Sequence, residues 1–122
     1  MPLSGTRVLL VEDDGIIAML LRSMLESVNC EIVGLAARVP DALRKVAALS
    51  FDLALLDVNL AGTMSYPVAD ALRAHGIPFI FTTSYGRAAL PPDMHAMPVL
   101  SKPFDLRELT ASLVALKQAP QA

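Results

Sequence analysis

Short, continuously apolar runs alternate along the chain with longer stretches whose apolar positions recur at helical spacing. Arg7–Val11 (RVLLV), Glu31–Ala36 (EIVGLA), Asp52–Leu56 (DLALL), Ile77–Thr82 (IPFIFT) and Pro98–Ser101 read as strands. Unbroken apolar runs of this length suit strands buried on both faces. Ile17, Leu20, Met24 and Val28 predict a first helix over 15–28, and Pro40 opens a second that reaches Leu49, at a first-turn position where its missing N–H costs nothing. Residues 58–66 read as a loop containing Gly62. A short third helix starts at Pro67 and ends near Gly76, glycine being suited to a left-handed C-cap. Pro78 lies near the start of the fourth strand, where a lost ladder donor matters least. Pro91 and Pro92 interrupt 86–96, which predicts a short or irregular fourth helix. Asp105 caps a last helix reaching Lys117, with Leu106, Leu109, Leu113 and Leu116 on one face. Residues 118–122 form a tail expected to fray.

Strand and helix alternate five times, which predicts an α/β fold with a parallel sheet covered by helices on both faces. The 122 residues fit one domain over 1–122, with no internal repeat or linker. Hydrophobic residues make up 54% and aromatic ones only 5%, so the core is expected to be aliphatic. The mean hydropathy of +0.52 is high for a soluble chain, and doubly covered strands account for it. A net charge of -2 with scattered Lys and Arg argues against direct nucleic-acid binding. No apolar run approaches the roughly 20 residues of a membrane helix, and Met1–Arg7 carries no signal-peptide pattern. The single cysteine, Cys30, excludes an internal disulfide and fits a cytoplasmic setting. Cys30 and the methionines read as apolar filler, and His75 and His95 as surface residues.

The polar residues that interrupt this pattern sit at strand ends. Glu12, Asp13 and Asp14 follow the first strand, Asp57 the third, Thr83 and Ser84 the fourth, and Lys102 the fifth. In an open α/β sheet these positions converge outside the carboxyl ends of the strands, where ligands bind. Clustered carboxylates must be protonated or bound to a cation, and an all-oxygen set suits Mg²⁺. Asp14 reads as the cap of the first helix, leaving Glu12 and Asp13 for the metal. An aspartate is a competent nucleophile toward phosphorus. A metal and a lysine would neutralise charge on a transferring phosphoryl group, and Thr83 would donate to one of its oxygens.

The segments VLLVEDD (Val8–Asp14), LALLDVNL (Leu53–Leu60), FIFTTSYG (Phe79–Gly86) and LSKPF (Leu100–Phe104) together resemble the four signatures of response regulator receiver domains, in order and across essentially the whole chain. The resemblance implies a doubly wound (βα)5, flavodoxin-like three-layer sandwich with sheet order 2-1-3-4-5. It implies Asp57 as phosphoacceptor, Thr83 as the switch hydroxyl and Lys102 as the phosphoryl-binding lysine. The expected ligands of Mg²⁺ (or Mn²⁺) are Glu12, Asp13, Asp57 and the backbone carbonyl of Asn59, and the Lys102–Pro103 bond is expected to be cis. The expected partner is a histidine kinase or a histidine phosphotransfer protein. PFIFTTSYG also resembles the PFxFAT-G-Y variant of receivers paired with HWE-class kinases, with Thr82 and Ser84 in place of Ala and Gly.

Two positions depart from the family pattern. Leu60-Ala61-Gly62 stands where many receivers have Met-Pro, and Val99 occupies the place of the usual aromatic switch, with Tyr85 as a nearby substitute. The expected state is a monomer or weak homodimer. With no output domain after the last helix, output is expected through partner binding or relay. Two other classes share some of these features. A receiver-like interaction module would lack phosphorylation. A haloacid-dehalogenase-like phosphatase would use an Asp nucleophile, but such enzymes carry D-x-D, whereas here Asn59 stands two residues after Asp57.

Overall fold

A computed structural model describes residues 2–86 and 90–118. Strand β1 (Arg7–Val11) leads through helix α1 (Gly15–Ser27) to β2 (Glu31–Ala36), and α2 (Val39–Ala48) leads to β3 (Leu53–Asp57). Two short strands, β4 (Asn59–Leu60) and β5 (Thr63–Met64), precede α3 (Tyr66–Ala74), β6 (Phe79–Thr83), β7 (Val99–Ser101) and α4 (Leu106–Gln118). Five strands form one parallel sheet ordered β2-β1-β3-β6-β7. Counting only the strands of that sheet, this is the predicted 2-1-3-4-5 order.

The three inner strands explain the apolar runs. β3 and β6 are buried along their whole length, and β1 from Val8 onward. Alternate side chains feed two separate cores, as the period of two requires. Val8, Leu10, Leu53, Leu55 and Ile80 pack against α1 and α4 through Leu21, Leu25, Leu109 and Leu113. Leu9, Val11, Ala54, Leu56, Phe79 and Phe81 pack against α2 and α3 through Val46, Val68 and Leu72. Cys30 is buried in the first of these cores.

Several boundaries and faces differ from the sequence reading. Asp57 and Thr83 are the last residues of β3 and β6 and not the first residues beyond them, because backbone pairing continues through both. On α1 the buried line is Leu21, Leu25 and Val28, whereas Leu20 is 59% exposed. Leu106 is likewise partly exposed, so the apolar face of α4 begins at Leu109. Of the methionines, Met94 is core, but Met19 and Met64 are exposed. Within the proline-broken stretch, the described residues contain a single 3-10 turn at Pro92–Met94. Residues 87–89 of that stretch, and 119–122 of the tail, lie outside the described residues.

The expected loop 58–66 contains an antiparallel hairpin pairing Asn59 with Met64 and Leu60 with Thr63. Its two central residues, Ala61 and Gly62, both have positive φ, +54° and +89°, as a type I′ turn requires. Alanine in that region costs about 1–2 kcal/mol, and asparagine tolerates it better. Ala61 is exposed, so Ala61→Asn is expected to raise the unfolding free energy by up to about 1 kcal/mol in urea titrations; a loss of stability would show that the turn does not set this local cost.

At the start of α4, Asp105 and Glu108 form a reciprocal box: Glu108 N–H donates to Asp105 Oδ1 (2.8 Å) and Asp105 N–H donates to Glu108 Oε1 (3.2 Å). Removing the cap in Asp105→Ala is expected to cost about 1 kcal/mol by the same measurement. An unchanged midpoint would mean that α4 is held by its buried leucines alone.

Candidate functional site

Each polar side chain of the site is placed by a strand that ends beneath it. Glu12 N–H donates to Ala36 O (2.9 Å), which carries the β1–β2 ladder one residue past β1 and turns the Glu12 side chain inward. Lys102 N–H donates to Thr83 O (2.8 Å) and extends the β6–β7 ladder in the same way. Glu12, Asp57 and Thr83 are consequently buried, at 5%, 7% and 2% exposure. Asp14 caps α1, accepting from the N–H groups of Ile16 and Ile17, so it is turned to the helix, as its position predicted.

Lys102 Nζ lies between two carboxylates, 3.1 Å from Glu12 Oε2 and 3.1 Å from Asp57 Oδ2. Asp13 joins them: oxygen atoms of Glu12, Asp13 and Asp57 all lie within 4.8 Å of one another. Three carboxylates therefore crowd together, and two of them share one ammonium. Burial, then the hydrogen bond to and repulsion from Asp57, push the Glu12 carboxyl up from 4.5 to about 7 against the pull of Lys102. Burial by itself lowers the Lys102 ammonium, but its hydrogen bonds and attraction to Asp57 and Glu12 outweigh this and hold it above the ordinary lysine value. Lys102 is thus a permanent cation at neutral pH, and the cluster keeps an excess of acidic oxygen. An all-oxygen donor set with surplus negative charge fits a hard divalent cation.

The hairpin closes over this cluster. Asn59 N–H donates to Asp57 Oδ1 (3.2 Å), and the Asn59 side-chain oxygen accepts from Gly62 N–H (2.7 Å). At the turn, Ala61 N–H donates to Asp13 Oδ2 (3.1 Å). The Asn59 side chain is occupied in shaping the turn, and no carboxyl stands two residues beyond Asp57 to act as the acid/base of a D-x-D hydrolase. Behind the hairpin, the fully buried Ser65 donates its hydroxyl to the backbone carbonyl of Asp57 (2.6 Å). Sequence reasoning missed Ser65. A serine just ahead of a proline-started helix carries the signal of a helix cap, yet its side chain makes no cap bond here.

A cavity of about 260 Å³ opens beside Asp57 and is lined by Asn59, Met64, Tyr66, Thr83, Tyr85 and Lys102, among others. Thr83 Oγ1 accepts from Tyr85 N–H (3.0 Å). Val99 pairs with Phe81 across β6 and β7. From the cavity wall Tyr66 meets Phe81 edge-on at 6.4 Å, and Phe81 meets Phe79 at 5.2 Å. Tyr85 stands at the rim, 78% exposed. Ser84 lines the same cavity, whereas His75 and His95 are exposed and do not line it. The Lys102–Pro103 bond is cis, as the motif predicted.

Among the described residues no helix is long and apolar enough to cross a membrane. In structure, the chain is similar to SdrG from Sphingomonas melonis Fr1, with a TM-score of 0.82, 41% identity, and coverage of 92% of this chain and 96% of that one. The BeF3-activated conformation of SdrG matches with a TM-score of 0.81 and 39% identity over 93% of this chain and 98% of that one. The receiver domain of the PhyR response regulator from Erythrobacter litoralis matches with a TM-score of 0.82 and 29% identity, covering 98% and 97% of the two chains. The sensory transduction protein LytT of Bacillus cereus is 29% identical over 120 residues, 95% of this chain and 49% of that protein. The chain thus spans about half the length of the curated relatives it matches. A family model described as the response regulator receiver domain matches residues 8–114. With that match lying across the whole sheet and its acidic edge, the chain belongs to the response regulator receiver domain family.

Proposed function

We propose that Asp57 accepts a phosphoryl group from a histidine kinase or a histidine phosphotransfer protein, and that the acquired charge alters the surface around the cavity. The observation that carries this reading is the contact of one lysine with both Glu12 and Asp57, where Lys102 and Asp57 line a cavity of about 260 Å³. A receiver domain implies a histidine kinase as partner. The PFIFTTSYG stretch favours one of the HWE class.

The chemistry follows from the residues present. An Asp57 carboxylate oxygen attacks phosphorus, the bond between phosphorus and the donor's imidazole nitrogen breaks, and the electron pair leaves with that nitrogen. Lys102, kept protonated by its two carboxylate neighbours, stabilises charge on the phosphoryl oxygens. Thr83 Oγ1 already accepts from Tyr85 N–H, so its own proton is available to donate to a phosphoryl oxygen. Inward movement of Thr83 would draw the Tyr85 backbone with it and relocate an exposed aromatic ring. Mg²⁺ would be held by Glu12, Asp13, Asp57 and the Asn59 carbonyl, and when bound it would supply positive charge to the phosphoryl oxygens.

Incubation with acetyl phosphate, followed by intact mass, tests the acceptor. Wild type is expected to gain one phosphoryl group only when Mg²⁺ is present, and Asp57→Asn to gain none. Equal incorporation by Asp57→Asn would place the acceptor elsewhere. Absence of Mg²⁺ binding by the folded protein would favour a pure interaction module.

The elevated Glu12 carboxyl adds a pH signature. In the metal-free protein the folded state favours protonated Glu12, so its contribution to stability is complete below the unfolded value of 4.5 and is lost as pH rises through about 7. Metal ligation requires the ionised form, so the rise in melting temperature caused by Mg²⁺ should grow between pH 5.5 and 7.5. Thermal unfolding with and without Mg²⁺ is expected to show this growth in wild type and to lose most of it in Glu12→Gln. An identical Mg²⁺ increment at both pH values would show that Glu12 does not titrate in this window.

A further inference from the structure

Ser65 lies between the hairpin and α3, has no exposed surface, and makes two donations to consecutive carbonyls at the end of β3. Its hydroxyl donates to Asp57 O at 2.6 Å, and its N–H donates to Val58 O at 2.8 Å. These bonds close residues 57–65 into a loop. Inside that loop lie the Asn59 N–H that holds Asp57 Oδ1 and the turn whose Ala61 N–H holds Asp13 Oδ2. On its helical side, Ser65 O accepts from Val68 N–H and Ala69 N–H, which ties the same residue to the rigid first turn of α3. The Asp57 carbonyl sits at a buried strand end, where a carbonyl left without a donor is costly. A hydroxyl meets this need while fixing the direction in which the chain leaves the sheet.

We infer that Ser65 is a positioning residue for Asp57: through the Asp57 carbonyl it sets the orientation of the acceptor carboxylate and the path of the Asn59 backbone. This rests on the reading of Asp57 as acceptor. Tyr66, the next residue, is placed by the same anchor against Phe81 at the cavity wall. The serine therefore links the acceptor, the hairpin and one wall of the cavity.

Ser65→Ala removes the hydroxyl and leaves the backbone bonds in place. Its control is Val46→Ala, a core truncation in α2 that lowers stability without touching the loop. Three measurements are made on each folded variant. The Asn59 amide is followed by proton–nitrogen NMR without metal, because that N–H donates to Asp57 Oδ1. Mg²⁺ titration is followed by tyrosine fluorescence, since the chain has two tyrosines and no tryptophan and both tyrosines line the cavity. Phosphorylation by acetyl phosphate is timed at saturating Mg²⁺.

The expected result for Ser65→Ala is a displaced Asn59 resonance, Mg²⁺ binding weakened about tenfold, and phosphorylation slowed by a similar factor, with Val46→Ala close to wild type in all three. Should Ser65→Ala fail to fold, Ser65→Cys, of nearly equal shape but a weak donor, is expected to shift the same readouts in the same direction. A Ser65 variant that leaves the Asn59 resonance and the Mg²⁺ affinity where Val46→Ala leaves them overturns the inference. If wild type itself takes up no phosphoryl group, the acceptor reading fails, while the Asn59 resonance still decides whether Ser65 orients the Asp57 carboxylate.

Discussion

Three carboxylates gather at the edge of a sheet whose interior is otherwise apolar, two of them on one ammonium, and the parallel topology is what forces them together. β1, β3, β6 and β7 all end at the same edge, so each polar residue that closes a strand arrives beside the others. Burying an ion without a partner is expensive. Glu12 and Asp57 meet that demand by sharing Lys102, and Glu12 meets it further by holding its proton up to about pH 7. The arrangement is satisfied but not neutral, and its residual charge is what a divalent cation or the shift of a proton has to balance. The β4–β5 hairpin, the Asp14 cap and the Ser65 anchor keep the acidic side chains at these positions.

Most of this was legible in the sequence because its signals are local. Unbroken apolar runs identified the inner strands, and the polar residues that ended them marked the edge without any knowledge of packing. Asp105 announced the start of α4 as its cap, and the structure adds the reciprocal bond from Glu108 three residues on. The errors were of another kind. Leu20 has the spacing of a core residue but faces outward, because α1 carries more apolar positions than the sheet can cover, and periodicity does not say which stripe wins. The hairpin was invisible because alanine gives no sign of accepting positive φ. Beyond the strand pairing itself, Asp13 holds the Ala61 N–H and Asn59 the Gly62 N–H, and neither bond is visible in the sequence pattern. Ser65 was missed for a related reason: a hydroxyl bonded to a carbonyl eight residues earlier leaves no pattern in the sequence.

Absence of an aromatic residue at Val99 changes how the state of the cavity can be communicated. Aromatic packing lies behind the wall formed by Tyr66, where Tyr66, Phe81 and Phe79 form an edge-to-face series from the cavity into the core. Such contacts are directional, so this wall resists rearrangement more than an aliphatic one would. The connection to the surface instead leaves from the end of β6. Thr83 is buried, its oxygen holds the Tyr85 N–H, and Tyr85 projects into solvent. A stiff wall anchored by Ser65 and a single hydrogen bond leading outward from Thr83 divide the cavity into a fixed half and a responsive half. In that division a charge gained at Asp57, as proposed, would have a short route to the surface through Thr83. That route would pass through a hydroxyl that the charge itself attracts, so no ring inside the fold would have to turn.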